Sequence, residues 1–261
     1  LSYSAIQGEL KMDDLSRRSF AHNVLGSLLT FSLLETLFEC DAFAEKVRPV
    51  TTHWLNDVNQ LGLDLKDQSV SQIVWQEKLG ELFAQVNLDE LLNLIDFDKL
   101  TAGVELKDRG ARSLRFSFRQ IEGVPEKLAY GKQVFALKQG RSVVPHGHNN
   151  MATAFIILKG DFHGRHYDRL EDEQDHVIIR STIDEQFGPG GFSTISDFKD
   201  NVHWFKATSD QGFIFNIHTV NVSSGDKRTG RVYLDPDGEK LAGDRIRAPR
   251  INYDEAHRRY G

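Results

Sequence analysis

The sequence predicts a mainly β protein, one antiparallel sandwich or barrel across residues 111–261, preceded by a helical region across residues 1–110. The first reason is a change of period. From Ser113, Leu114, Phe116 and Phe118 alternate with Arg115, Ser117 and Arg119 as on a half-buried strand, whereas apolar residues before about Leu100 recur at helical spacing. The second is a series of short segments rich in aromatic and β-branched residues, separated by Gly, Pro, Asp or Asn. Composition agrees: 39% hydrophobic and 27% charged residues, with 17 Phe, describe a globular chain with an aromatic-rich core, and 261 residues suffice for one domain with a helical extension.

Taken in order, residues 16–44 come first. Ser16-Arg17-Arg18-Ser19-Phe20, an apolar run and Ala42-Phe43-Ala44 resemble a twin-arginine export signal with its cleavage site. Glu35, Glu39 and Asp41 interrupt that run, while Phe20, Val24, Leu28, Phe31, Leu34 and Phe38 recur at helical spacing. The expectation is a retained helix and a cytoplasmic protein, with export as the alternative. No run reaches the roughly 20 uncharged apolar residues of a membrane span. Cys40, the single cysteine, excludes an internal disulfide and reads as a small buried hydrophobe.

A helix is expected over Asp67–Val86, with Val70, Val74, Leu79, Leu82 and Phe83 near one face, and Asn87 should cap the next, with Glu90 at its third position. Trp54 and Trp75 read as core. Strands are expected at Gln133–Leu137, Thr153–Leu158, Phe162–Tyr167, His176–Ser181, Val202–Ala207 and Phe213–Val222. Beyond Ser223, the turn Asp235-Pro236-Asp237-Gly238 and a charged ending suggest a closing strand or loop and a short outer helix. A net charge of −6 gives no reason to expect nucleic-acid binding.

The sharpest chemical signal is Gly140-Arg141-Ser142-Val143-Val144-Pro145-His146-Gly147-His148, followed by Thr153 and Gly160. Two histidines two apart on a strand project to one face, so both imidazoles can reach one metal ion. These residues resemble the first cupin motif, G-x5-H-x-H-x4-E-x6-G, at both glycines and both histidines, with Thr153 in place of the Glu. Asp200-Asn201-Val202-His203-Trp204, after the loop Gly188-Pro189-Gly190-Gly191, resembles the second motif, with Ala207 where an Asn is usual. The resemblance implies a single cupin barrel, a jelly roll or double-stranded β-helix, whose metal ligands are His146, His148 and His203.

Three neutral imidazoles without a carboxylate leave coordination positions open for dioxygen, water and a substrate. Among cupins this set resembles the thiol dioxygenases of the cysteine dioxygenase type, which also lack the motif Glu. His218 follows His203 at a spacing similar to that of a further histidine there, in the series Asn216, His218 and Val220. On the polar strand 160–167, alternation puts His163, Arg165 and Tyr167 on one face and Phe162, Gly164 and His166 on the other, and one set should face the cavity. Tyr167, His163 and His218 are the candidate catalytic groups. Arg165, Thr153 and Trp204 are the candidate substrate contacts, and His166 and His176 read as surface residues.

The expected function is thus a mononuclear non-haem iron oxygenase acting on a small organic substrate, thiols included, with Fe(II) favoured over Zn, Mn, Ni or Cu and dioxygen as co-substrate. The alternatives are a Lewis-acid isomerase or lyase and a non-catalytic cupin binding a metal or small ligand. A homodimer is expected by analogy with other cupin barrels.

Overall fold

Four helices, α1 (Val50–Lys66), α2 (Gln72–Ala84), α3 (Leu88–Ile95) and α4 (Phe97–Thr101), come first in the computed structural model, which describes residues 50–118, 121–225 and 228–261. The expected helix within residues 16–44, and Cys40, lie outside the described residues. In α1, Trp54, Leu55, Val58, Leu61 and Leu65 recur at helical spacing and all are buried. The helix expected over Asp67–Val86 begins later, at Gln72, because the Ser71 side chain accepts from the Val74 N–H and caps it there. Val74, placed on the apolar face by its spacing, is exposed; Trp75, Leu79 and Phe83 are buried. Asn87 caps α3 as its sequence suggests, accepting from the Glu90 N–H at 3.1 Å. Among the described residues, no helix is long and apolar enough to cross a membrane.

The strands are β1 (Arg112–Leu114), β2 (Gly131–Lys138), β3 (Ser142–Asn149), β4 (Met151–Lys159), β5 (Phe162–Asp172), β6 (His176–Phe187), β7 (Phe192–Ile195), β8 (Val202–Ala207), β9 (Gln211–Val220), β10 (Gly230–Tyr233), β11 (Glu239–Leu241) and β12 (Arg245–Pro249); α5 (Tyr253–Tyr260) follows. They form a five-stranded sheet, β1-β2-β9-β4-β7, and a seven-stranded sheet, β10-β3-β8-β5-β6-β12-β11. Within them, β2 to β9 lie as 2-9-4-7 in one sheet and 3-8-5-6 in the other, all antiparallel, which is the eight-stranded jelly-roll order of cupin barrels. The two motif glycines sit in the turns entering β3 and leaving β4. Gly140 (φ +76°) and Gly160 (φ +78°) are both left-handed, a conformation that other residues adopt only under strain.

Alternation sorts the side chains into layers. Leu137, Phe155, Ile157, Ile195 and Ile214 from the first sheet meet Val143, Phe162, Phe187, Phe205 and Ala207 from the second between the sheets. The outer face of the five-stranded sheet, through Val134, Ala136, Ala154, Ile156, Phe213, Phe215 and Ile217, packs in one cluster with Trp54, Leu55, Trp75, Leu79, Phe83 and Leu91 of the helices. The strand expected from Ser113 pairs only over Arg112–Leu114. Phe116 and Phe118 leave the sheet and stack edge to face at 5.3 Å against the same cluster, near Phe215.

Candidate metal centre

Strand parity builds the centre. On β3, His146 and His148 face inward, and on β8, His203 lies directly opposite His146 in the register. The ring centroids are 4.7 Å (His146–His148), 4.5 Å (His146–His203) and 5.2 Å (His148–His203) apart, and one ligand atom from each lies within 4.8 Å of the others. All three rings are buried. Burial lowers the His146 pKa to about 3, with Arg231 adding to the effect, and holds His148 and His203 well below the ordinary range. The three are neutral at neutral pH, the form that binds metal.

Backbone contacts orient two of the rings. His146 Nδ1 donates to the Val144 carbonyl at 2.7 Å and His203 Nδ1 to the Asn201 carbonyl at 3.2 Å, which leaves Nε2 of each as the lone-pair nitrogen. His203 Nε2 and His148 Nδ1 are buried without a hydrogen-bond partner among the described residues. Three lone-pair donors this close, with orphaned ring nitrogens, fit a bound cation; as plain core residues, those nitrogens would be left unsatisfied. Asn201 braces the arrangement, its amide donating to the His148 carbonyl at 3.1 Å and the Ser196 carbonyl at 2.9 Å.

A cavity of about 670 Å³ opens onto His146 and His148. Its wall on β1, β2, β4 and β9 carries a polar chain: Ser113 Oγ donates to Gln133 Oε1 (2.5 Å), Gln133 Nε2 to Asn216 Oδ1 (3.1 Å), Asn216 Nδ2 to Thr153 Oγ1 (2.7 Å), and Thr153 Oγ1 to the Ile217 carbonyl (2.7 Å). His218 stands beside Thr153 in the cross-strand register and lines the same wall, its pKa lowered by burial and then by Arg231. A Cβ on Gly131, its partner on the other side, would lie 2.3 Å from His218 Nε2, so only glycine admits the ring here.

Thr153 and His218 therefore line the cavity; Tyr167, His163, Arg165 and Trp204 do not. Those four lie on the outer face of the seven-stranded sheet, because Arg165 pairs with Trp204 and Tyr167 with Val202, one residue out of phase with His203. There His163 and Arg165 both bind Asp184 (2.5 and 3.2 Å), and Arg165 stacks over Trp204 at 5.3 Å. Trp204 meets Tyr260 edge to face, and Tyr167 is buried in a small cluster with Val177, Ile179, Val202, Leu234 and Ala248. His166, read as a surface residue, is fully buried on the inner face, opposite His203 and against Phe187 and Phe205.

Sequence reasoning missed Arg231 and Tyr233. Both belong to β10, whose register sets Arg231 opposite His148 and Tyr233 opposite His146, with the Tyr233 ring 5.9 Å from the His146 ring. Their alternation in Gly230-Arg231-Val232-Tyr233 was the available signal, but four residues with one aromatic do not announce a strand. Tyr253 and His257 of α5 close the same side, with Tyr253 against Tyr233 at 5.6 Å.

No family model matches the chain, and no curated protein does. Among solved structures, it is similar to an uncharacterized conserved protein with a double-stranded β-helix domain from Klebsiella pneumoniae subsp. pneumoniae, at 9% identity over 57% of this chain and 88% of that one, TM-score 0.34. A recombinant oxalate oxidase in complex with glycolate shares 12% identity over 49% of this chain and 56% of that one, TM-score 0.34. Procruciferin, an 11S globulin from Brassica napus, shares 14% over 35% and 21%, TM-score 0.28. The chain spans about a fifth of the globulin and just over half of the oxidase. Likeness at these identities concerns fold alone, and the fold is already given by the strand order. The chain is a cupin-type jelly roll carrying a buried three-histidine group that could hold a metal ion.

Proposed function

We propose that this chain is a mononuclear metal-dependent enzyme, a non-haem iron oxygenase acting on an organic substrate, with His146, His148 and His203 as the ligands. The observation that carries the reading is the convergence of three buried, neutral imidazoles, without a carboxylate, two of which line a cavity large enough for a substrate. A redox-active divalent ion held there would supply dioxygen chemistry, since three protein ligands leave coordination positions open. The chain's own residues do the rest. Phe155, which lines the cavity 5.2 Å from His203, limits the access of water to the ligands, and the Gln133–Asn216–Thr153 chain holds the facing wall rigid. His218, neutral and half-buried, is the group available to accept or return a proton at a bound substrate, and Tyr233 offers a hydroxyl on the opposite side.

Metal analysis with oxygen-uptake assays of the Fe(II)-reconstituted protein, over a panel of thiols and other chelating substrates, tests the reading. Near-stoichiometric iron with substrate-dependent uptake is expected. Tightly held zinc or manganese without uptake would replace the oxygenase by a Lewis-acid enzyme. His218→Ala should keep its metal and lose turnover by about 10²–10⁴-fold; loss of metal instead would put His218 among the ligands.

A further inference from the structure

The charges around the cavity are one-sided. Arg115 and Arg231 line it, and no Asp or Glu does among the described residues, although acidic residues outnumber basic ones by 38 to 32 in the whole chain. Neither has an ion-pair partner among the described residues. Lys132, one step out of phase with Gly131 and Gln133, turns to the other face of the sheet and lies over the Phe118 ring at 4.9 Å and the Phe116 ring at 5.8 Å. Arg231 projects from β10 on the same face as its partner His148. A divalent ion held by neutral imidazoles keeps its full charge, so nothing on the protein side offsets the cations that face it.

Between these cations the wall is aromatic: Phe135 and Phe155 line the cavity together with Met151 and Val143. Its volume of about 670 Å³ falls in the range of sites that enclose drug-sized ligands, roughly 300–1,000 Å³. Two unpaired guanidinium groups beside an apolar wall suit one kind of molecule, an acid whose charge is met at the rim and whose body is buried.

We propose that the cavity takes an organic anion with an apolar body, its acidic head received by Arg231 and Arg115 and its body laid against Phe135 and Phe155. Arg231 is then the specificity-determining residue, because it is the cation set in register with a histidine of the centre. The inference rests on the metal-enzyme reading for what happens to the anion, but the binding itself does not require turnover.

Binding is measured by calorimetry on zinc-loaded protein, which cannot turn over dioxygen, with three probes: 3-phenylpropanoate, its uncharged amide and inorganic phosphate. The acid should bind at least about tenfold tighter than the amide, which lacks the charge, and than phosphate, which lacks the body. Arg231→Gln should erase about tenfold of the preference for the acid and leave the amide unchanged, and Arg115→Gln should act in the same direction. Added salt should weaken the acid and phosphate and leave the amide unchanged. Equal binding of acid and amide, phosphate binding as tightly as the acid, no binding of the acid at millimolar concentration, or an unchanged preference in Arg231→Gln would each overturn the proposal. Metal content, measured on the same samples, separates the two readings. Preference for the acid in protein that takes up no metal would sink the metal enzyme and keep the anion site, whereas stoichiometric metal without that preference would do the reverse.

Discussion

β5 carries His163 and Arg165 on one face and His166 on the other, and β8 carries Trp204 on one face and His203 on the other. The residue types are much the same, yet one face is a solvent-side lattice of Asp184, Arg165 and Trp204 and the other closes on three imidazoles. The difference is parity. A single step along a strand moves a side chain across the sheet, so a polar residue near a metal motif in sequence can lie a full layer away from it in space.

The sharpest break of that comparison is on the inner face. His203→Ala should lose stoichiometric metal, since it removes one of three converging donors, and metal analysis reads the result directly. Next comes Gly131→Ala, whose Cβ must displace the His218 ring. Metal content should stay unchanged while turnover falls by about a hundredfold, at a stability cost of about 1–3 kcal/mol in denaturant unfolding.

The outer face should respond weakly. Arg165→Ala, which removes a half-exposed ion pair and a stacking contact over Trp204, should cost about 1 kcal/mol and leave metal content and turnover intact. A fall in turnover comparable to that of His218→Ala would return Arg165 to the candidate substrate contacts.

The smallest expected effect lies farther along β5. Burial would raise the pKa of Asp172, but hydrogen bonds from Arg169 (2.8 Å) and Arg250 (2.5 Å) prevail and hold it below the ordinary carboxylate value. A carboxyl whose folded pKa is depressed contributes stability above its unfolded pKa, near 3.8, and loses it as pH falls through the folded value. Asp172→Asn should therefore be less stable by about 0.5 kcal/mol at neutral pH, discounted for partial exposure, and should converge with the parent chain in acid.

Most of the layout was legible because β2, β4, β5, β6, β8 and β9 are short, rich in aromatic and β-branched residues and punctuated, and because Gly140 and Gly160 mark turns that need left-handed backbone; the four residues of β7 were too few to stand out. The grouping of His146 with His148 followed from spacing, and their convergence with His203 from a distant motif that the β3–β8 register brings opposite. What could not be read was the inner or outer sense of β5. Its two alternating sets both held a histidine, and only the pairing of His166 with His203 decides between them. Arg231 and Tyr233 were hidden for a related reason: β10 takes its direction from β3, far away in sequence, and has too few residues to carry a period of its own.

The most direct test of the account is the X-ray absorption spectrum of the metal-loaded protein. One ion per chain, with three imidazole nitrogens at about 2.1 Å in the parent and two in His203→Ala reloaded with excess metal, is the predicted result. An unchanged imidazole count after that substitution, or a first shell made of carboxylate oxygens or thiolate sulfur, would contradict it.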